Sequence, residues 1–180
     1  LDLKLLSLEE INHKYISDLY GEIKNYEIIK NFEKNLGVSK VLKSFFNKEF
    51  FSLTKAVRLD LSNNQDWNLD WHQESSYVGK ENKFVFFWFP LLNKNDSTTG
   101  GLEIYDKFTT KAYDFTIKKV KNFQTQKLPN FKLKKKYSKE VRLNMGDLLV
   151  FDRYLFHKSV VNYSFKAKLS CVMSFYQRIK

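Results

Sequence analysis

The stretch KFVFFWFPLL, residues 83–92, determines the fold class of this chain. Its apolar and aromatic residues run without the spacing of an amphipathic helix, and Pro90 closes the run, so we predict a buried β-strand. Several short strands separated by turn signals are typical of an antiparallel sandwich or barrel. The other predicted strands lie within LTKAVRLDL (53–61), STTGGLEIY (97–105), NMGDLLVFD (144–152), FHKSVVNYS (156–164) and KLSCVMSFYQRI (168–179).

The first 50 residues have a helical pattern instead. Ser7 and Glu10 match a capping box, and the apolar residues of 11–23 recur at helical spacing. Two further helical segments are predicted near residues 26–35 and 39–50. Because helices come first and strands follow, the sequence predicts a mainly β (α+β) fold with N-terminal helices.

With six Gly and two Pro, the chain contains no flexible linker, so we expect one domain over residues 1–180. Residues 1–50 would form helical support, and residues 53–180 would form the β core. A Lys-rich insertion at 111–140 interrupts that core. It is either a lid or substrate-binding segment over a barrel mouth, or a solvated hairpin.

Composition limits the environment and the partners. The single cysteine, Cys171, cannot form an internal disulfide, which favours a reducing compartment such as the cytoplasm. No apolar run approaches the roughly 20 residues of a membrane span, so no membrane contact is predicted. The net charge of +11 has two explanations, an acidic partner or an AT-rich coding sequence. We favour the second, because no Arg-rich or Gly-rich nucleic-acid motif accompanies the charge.

The stretch LDWHQESSYVG, residues 69–79, contains a candidate metal site. On a strand, His72 and Glu74 would point to the same face and converge on one ion. The only other histidines are His13, on a predicted helix surface, and His157, which follows a Gly-Asp turn. Two histidines and one carboxylate form the facial triad of non-haem Fe(II) oxygenases, which leaves three coordination positions open.

Five segments in a fixed order resemble the phytanoyl-CoA dioxygenase family of Fe(II)- and 2-oxoglutarate-dependent oxygenases. This resemblance implies a double-stranded β-helix, the jelly-roll or cupin-like fold. It also implies two cofactors, Fe(2+) and 2-oxoglutarate. The segments are WHQES (71–75), FFWFPLL (86–92), TGGLEI (99–104), GDLLVFDRYLFHKSVVNYS (146–164) and KLS (168–170).

The resemblance assigns roles to five residues. It implies that His72, Glu74 and His157 are the iron ligands. Lys168 takes the place of the basic residue that binds the far carboxylate of 2-oxoglutarate, and Ser170 would donate to the same group. A buried cation opposite the metal suits a dianionic cosubstrate.

The implied reaction is hydroxylation of a C–H bond, with consumption of dioxygen and release of succinate and CO2. Glu74 fills the ligand position that halogenating relatives leave open for chloride, so hydroxylation or a related oxidation is expected. The predicted substrate is a small or carrier-linked metabolite. The Lys-rich insertion favours an anionic one.

Two positions depart from the family pattern and keep an alternative open. Glu74 stands where the family usually has Asp, and Lys168 stands where it has Arg, which would bind a carboxylate with two prongs. The alternative is a non-catalytic cupin-like module that binds a metal or a ligand. Arg58 and Asp60 share a strand face and either line the pocket or form an ion pair. Arg178, on the face of Lys168, is a second candidate for the carboxylate.

Overall fold

The computed structural model describes residues 18, 22–23, 25–31, 34, 37–63, 65, 68–79, 81–96, 98–119 and 125–179. The predicted capping box at Ser7 and Glu10 lies outside the described residues, and so does His13. Two helices have defined bounds, α1 (Glu27–Lys30) and α2 (Val38–Phe45).

Helix α2 lies between a glycine and an extended phenylalanine. Gly37 precedes it with a φ of +66°, a left-handed conformation that glycine adopts without strain. The helix buries Val38 and Leu42, which are four residues apart and therefore share a face. It ends at Phe45, five residues before the predicted end, because Phe46 is extended. The ring of Phe46 stacks on that of Phe50, 5.6 Å away.

Nine strands have defined bounds in the described part of the chain, and every strand pair is antiparallel. A four-stranded sheet has the order β1-β9-β2-β7, a three-stranded sheet has the order β6-β3-β8, and β4 and β5 form a hairpin. The strands are β1 (Phe51–Asp60), β2 (Asn82–Leu92), β3 (Gly101–Tyr105), β4 (Phe115–Lys119), β5 (Thr125–Pro129), β6 (Ser138–Glu140), β7 (Leu149–Asp152), β8 (His157–Val160) and β9 (Lys168–Arg178).

Both faces of the four-stranded sheet are covered, which explains why β2 reads as an unbroken apolar run. Alternate residues of each strand point to opposite faces. The outer face packs against the helices through Val57, Val85, Phe87, Phe89, Cys171, Met173 and Phe175. The inner face packs against the second sheet through Phe84, Phe86, Trp88, Leu102, Val141 and Phe151. Each such side chain contributes about 1.5–3 kcal/mol when fully buried.

Two facing antiparallel sheets confirm the predicted mainly β, jelly-roll type of fold. The Gly-rich turn before β3 is required sterically, because Gly100 has a φ of +75° and a Cβ there would lie 2.6 Å from the carbonyl oxygen of Val160. The Lys-rich insertion contains the β4–β5 hairpin and ends in β6, which pairs with β3. Within the described residues, no helix has the length and apolar character of a membrane span.

Candidate metal centre

His72 and Glu74 do converge, but by a different backbone route from the predicted strand. His72 forms an isolated bridge with His157, in which each amide N–H donates to the carbonyl of the other residue at 3.0 and 3.1 Å. Glu74 begins a short 3₁₀ turn, Glu74–Ser76, instead of continuing an extended strand. The prediction that the pair lies on one strand face is therefore wrong. The bridge to β8 and the turn direct the two side chains toward each other.

The three side chains meet at one point on the inner side of the fold. The Oε1 atom of Glu74 lies 3.3 Å from the Nε2 atom of His157 and 3.6 Å from that of His72. Each of the three residues offers one ligand atom, and these atoms lie within 4.8 Å of one another. Ligands about 2.1 Å from an ion and at right angles are roughly 3 Å apart, so a divalent cation fits after a small adjustment.

The backbone fixes which imidazole nitrogen faces the centre. The Nδ1 atom of His72 lies 2.7 Å from the carbonyl oxygen of Asp70, and the Nδ1 atom of His157 lies 3.1 Å from that of Leu155. A carbonyl oxygen only accepts, so each Nδ1 carries the proton, and each Nε2 of a neutral ring presents a lone pair. Such a bond at the outer nitrogen is the usual support of a metal-binding histidine.

Electrostatics favour the metal-binding forms of both groups at neutral pH. Burial opposes ionisation of Glu74, but a proton on Nε2 of His157 or His72, with the positive charge that it brings, outweighs burial and holds the pKa of that carboxyl well below its usual range. A bound cation takes the place of that proton. Burial, followed by the neighbouring His72, lowers the pKa of His157, although Glu74 opposes this. A carboxylate and a neutral imidazole are the forms that bind metal.

The side chain of Gln73 points away from the centre and holds the start of the insertion. It is buried, and its Nε2 donates to the carbonyl oxygens of Tyr154 and Lys111 at 2.6 and 3.2 Å. Its Oε1 accepts from the amide of Tyr113 at 3.0 Å. These contacts make Gln73 a link between the metal-site segment and residues 111–113.

The hairpin is tied to the same segment. The buried Gln126 of β5 donates to the carbonyl oxygen of Asn68 at 2.9 Å and accepts from the amide of Asp70 at 3.1 Å. The amide of Lys127 donates to the hydroxyl of Tyr77 at 2.8 Å. The ring of Tyr77 in turn lies 5.8 Å from that of His72. Sequence reasoning missed Gln126, because one Gln in a Lys-rich stretch gives no signal of burial.

A second set of charges lies on the inner face of β1 and β9. Asp60 and Lys168 are cross-strand partners, as are Arg58 and Ser170, and directly opposed residues share a face. The Nζ atom of Lys168 lies 2.6 Å from Oδ2 of Asp60, and the Nε atom of Arg58 lies 2.6 Å from Oδ1. We call Arg58, Asp60, Lys168 and Ser170 the inner polar patch.

The patch has one net positive charge and one orphaned hydroxyl. Two cations share the carboxylate of Asp60, so the patch suits one further carboxylate. Ser170 is fully buried, and its Oγ has no hydrogen-bond partner within the part of the chain described. Arg178 is not near: it ends β9, its guanidinium lies over the ring of Phe51 at 5.5 Å, and roughly 30 Å of strand separates it from Lys168.

Cys171 points to the opposite face, as the alternation predicts. It belongs to the cluster beneath the helices, and burial raises the pKa of its thiol to about 12. It behaves as a small apolar residue and lies away from both the triad and the inner polar patch.

Comparison with known proteins gives matches only at the level of structure. No family model matches the chain, and no curated protein matches it. Among solved structures, EvdO2 from Micromonospora carbonacea var. aurantiaca superposes with a TM-score of 0.65 at 13% identity, over 92% of this chain and 64% of that protein. EvdO2 has also been solved in complex with 2-oxoglutarate.

Two further solved structures share the fold. ThoJ, a non-heme monooxygenase, gives a TM-score of 0.62 at 11% identity, over 78% of this chain and 53% of its own. The epimerase SnoN, in complex with Fe3+, alpha ketoglutarate and nogalamycin RO, gives 0.59 at 10% identity, over 83% and 59%. The chain thus spans between about half and two thirds of the length of these proteins.

At these identities the similarity concerns the fold. The resemblance to an Fe(II)/2-oxoglutarate oxygenase is supported at that level, and no family model supports the narrower phytanoyl-CoA dioxygenase assignment. The chain shares its fold with non-haem, 2-oxoglutarate-dependent enzymes.

Proposed function

We propose that this chain is a non-haem Fe(II)- and 2-oxoglutarate-dependent oxygenase that hydroxylates a C–H bond of a small or carrier-linked metabolite. Residues 53–180 would form its catalytic core. The observation that carries the proposal is the convergence of His72, Glu74 and His157, whose ligand atoms lie within 4.8 Å of one another. Their spacing and bound protons match a facial triad.

The triad residues would hold iron from one side. His72 and His157 would bind through Nε2, because their Nδ1 protons are engaged by backbone carbonyls. Glu74 would bind through Oε1 and neutralise one of the two positive charges. Bound iron with 2-oxoglutarate would supply the oxidising chemistry, in which dioxygen is consumed and succinate and CO2 are released.

The inner polar patch would hold the far carboxylate of 2-oxoglutarate. Its net charge of one and the unpartnered hydroxyl of Ser170 fit a single incoming carboxylate. The charged side chains of the patch and the hydroxyl of Ser170 lie on the face of the sheet that is directed toward β8, the strand that contains His157. The apolar side chains of Trp88 and Phe151 pack on the same side and would keep water from the metal.

An anaerobic titration tests the proposal. We expect Fe(II) to bind with a stoichiometry of about one, and 2-oxoglutarate then to produce a visible charge-transfer band. Exposure to air should convert 2-oxoglutarate to succinate. His157→Ala should abolish the band, whereas the matched variant His13→Ala, which removes the remaining histidine, should leave it unchanged. No band in the unmodified protein would reject the oxygenase.

A second candidate is a cupin-like module that binds a metal or ligand without turnover. The ion pair between Lys168 and Asp60 favours it, because the predicted cosubstrate cation already has a partner in the chain. Fe(II) binding without a 2-oxoglutarate-dependent band or succinate release would establish this candidate in place of the enzyme.

The substrate is proposed to be anionic, because the positive charge of the chain is concentrated beside the site. Residues 107–139 contain 11 of the 31 basic residues and one of the 20 acidic residues. The remainder holds 20 basic and 19 acidic residues and is nearly neutral. An AT-rich coding sequence would spread lysines along the chain, so it does not explain this concentration. The same segment is anchored to Tyr77 and Asp70 next to the triad.

Replacing Lys134, Lys135 and Lys136 with Ala tests the substrate charge. These lysines lie in a surface segment of the insertion, so folding should be preserved. We expect affinity for an anionic substrate to fall at least tenfold, with a weaker salt dependence. Lys40→Ala and Lys48→Ala, on the other side of the sheet, serve as the control. Unchanged affinity in the triple variant would remove the anionic assignment.

A further inference from the structure

The inner polar patch contains two positively charged side chains and one negatively charged side chain. Lys168 and Arg58 both contact Asp60, one at each carboxylate oxygen and both at 2.6 Å. Two full positive charges therefore face a single negative charge. Because buried charges need compensation, the remaining positive charge calls for an anion or for contact with water.

The two cations differ in access. The side chain of Lys168 keeps 2% of its surface exposed and that of Asp60 keeps 5%. The side chain of Arg58 keeps 23% exposed. Lys168 and Asp60 thus form an enclosed pair whose charges cancel, and Arg58 carries the positive charge that a ligand can reach.

Arg58 also extends toward the strand that carries a triad histidine. Its Nη1 donates to the hydroxyl of Ser159 at 3.1 Å, and its Nη2 donates to the side-chain oxygen of Asn68 at 3.0 Å. Ser159 lies two residues after His157 on β8, so their side chains share a face about 7 Å apart. A five-carbon diacid can bridge that distance between a metal and a guanidinium.

We propose that Arg58 is the residue that binds the far carboxylate of 2-oxoglutarate, and that the Asp60–Lys168 pair is a positioning element that holds the guanidinium in place. This inference rests on the proposed function and deepens it. It assigns the contact with the far carboxylate to Arg58, whereas the sequence resemblance assigned it to Lys168. The planar guanidinium offers two parallel donors to a carboxylate, which an ammonium cannot do.

The neighbours of Arg58 support a carboxylate at this position. Asp60 fixes Nε, which leaves the two terminal nitrogens directed at Ser159 and Asn68. Both of those partners are neutral, so a carboxylate in reach of the same nitrogens would gain a charge-assisted bond in their place. The hydroxyl of Ser170, opposite Arg58 in the sheet and without a partner in the described chain, is a further donor.

Binding of 2-oxoglutarate to the anaerobic Fe(II) protein, measured by calorimetry, tests the inference. Arg58→Gln leaves the Asp60–Lys168 pair intact, so the protein should fold. We expect it to weaken 2-oxoglutarate binding about 100-fold. Arg58→Lys should recover part of the loss, to within about tenfold. The double variant Asp60→Asn/Lys168→Met removes the pair but keeps an acceptor for Arg58. Because the pair only positions the guanidinium, we expect it to weaken 2-oxoglutarate binding by about tenfold, less than Arg58→Gln does.

The monoacid 2-oxovalerate provides the matched ligand control, since a methyl group replaces the far carboxylate. Arg58→Gln should leave its affinity within about threefold, because the lost contact involves only the carboxylate. An equal loss for both ligands would show a structural role and overturn the inference. So would normal 2-oxoglutarate binding by Arg58→Gln, or a 100-fold loss confined to the double variant.

Fe(II) titration of the same proteins separates this inference from the proposed function. If the unmodified protein binds neither Fe(II) nor 2-oxoglutarate, the proposed function fails and the inference fails with it. If the unmodified protein binds both, and Arg58→Gln does so equally well, only the inference fails. Fe(II) affinity should be the same in all the variants of the patch, because none of them changes a triad residue.

Discussion

Glu74 has two possible roles, as a metal ligand or as the acid of a structural ion pair with the histidines, and substitution of this residue distinguishes them. Its Oε1 faces two imidazole nitrogens at 3.3 and 3.6 Å. With both Nδ1 atoms protonated toward carbonyls, a neutral pair of rings presents only lone pairs to the carboxylate. Three acceptors at these distances repel one another until a cation, or a proton, lies between them.

Glu74→Gln should therefore change stability and metal affinity in opposite directions. The amide donates to an imidazole nitrogen and removes a half-buried charge, so we expect the metal-free protein to gain about 1 kcal/mol in free energy of unfolding. Fe(II) affinity should fall by about 10- to 100-fold through loss of the charge. Urea unfolding and metal titration measure the two. A less stable metal-free variant would indicate a structural ion pair instead.

Because Asp60 is a buried and paired carboxylate, we expect the free energy of unfolding to depend on pH. Burial raises its pKa, but the charges of Arg58 and Lys168 outweigh burial and hold the pKa below the usual 3.8. A lowered folded-state pKa means that the stabilisation is complete above about pH 4 and is lost as the pH falls through the folded-state value. At pH 7, Asp60→Asn should cost about 3 kcal/mol, because it leaves Lys168 buried without a counter-charge.

The difference in free energy of unfolding between the unmodified protein and Asp60→Asn should shrink as the pH falls from 5 to 3. Urea unfolding at several pH values measures it, and the contribution of Glu74 cancels because both proteins retain that residue. A difference that stays constant over this range would mean that the pKa of Asp60 is not lowered on folding.

At the scale of elements, sequence patterns predicted the strands that bury apolar side chains. β2 and β9 were evident because each runs for 11 residues with buried residues on both faces. The β4–β5 hairpin was not evident, because β4 is exposed along its whole length and its alternation is limited to Phe115 and Ile117. Its position depends on a few side-chain bonds to residues 68–77, which no local pattern encodes.

Gln126 should be the main anchor of the hairpin. Gln126→Ala leaves the amide of Asp70 and the carbonyl of Asn68 without partners, so we expect a loss of about 2 kcal/mol in free energy of unfolding and faster proteolysis within the hairpin. Thr125→Ala, at the exposed neighbouring position, should have little effect. Equal proteolysis of the two variants would mean that other contacts hold the hairpin.

For the molecule as a whole, the sequence indicated which three residues converge better than it indicated the backbone route by which they meet. The order of His72, Glu74 and His157 among strands indicated one centre, and the structure brings their ligand atoms together. The route was not predictable, because a cross-chain bridge and a 3₁₀ turn replace the expected strand. The pairing of Lys168 with Asp60 was also hidden, since it follows from the β1–β9 register.

The two sheets and the helices distribute these roles over the molecule. The outer face of the large sheet is apolar and carries the helices, and the inner face carries the polar patch toward the triad. The apolar packing and the candidate site therefore lie on opposite faces of the same strands. Residues 107–139 hold 11 basic residues and one acidic residue, which accounts for 10 of the 11 net positive charges, and this segment is tied to residues beside the triad, where an incoming anion would be attracted.

Crystals grown anaerobically with Fe(II) test whether the triad binds iron, by anomalous scattering at the iron edge. We expect a single strong peak about 2.0–2.3 Å from Nε2 of His72, Oε1 of Glu74 and Nε2 of His157. A protein that takes up no iron, or a peak bound by any other set of side chains, would contradict that expectation.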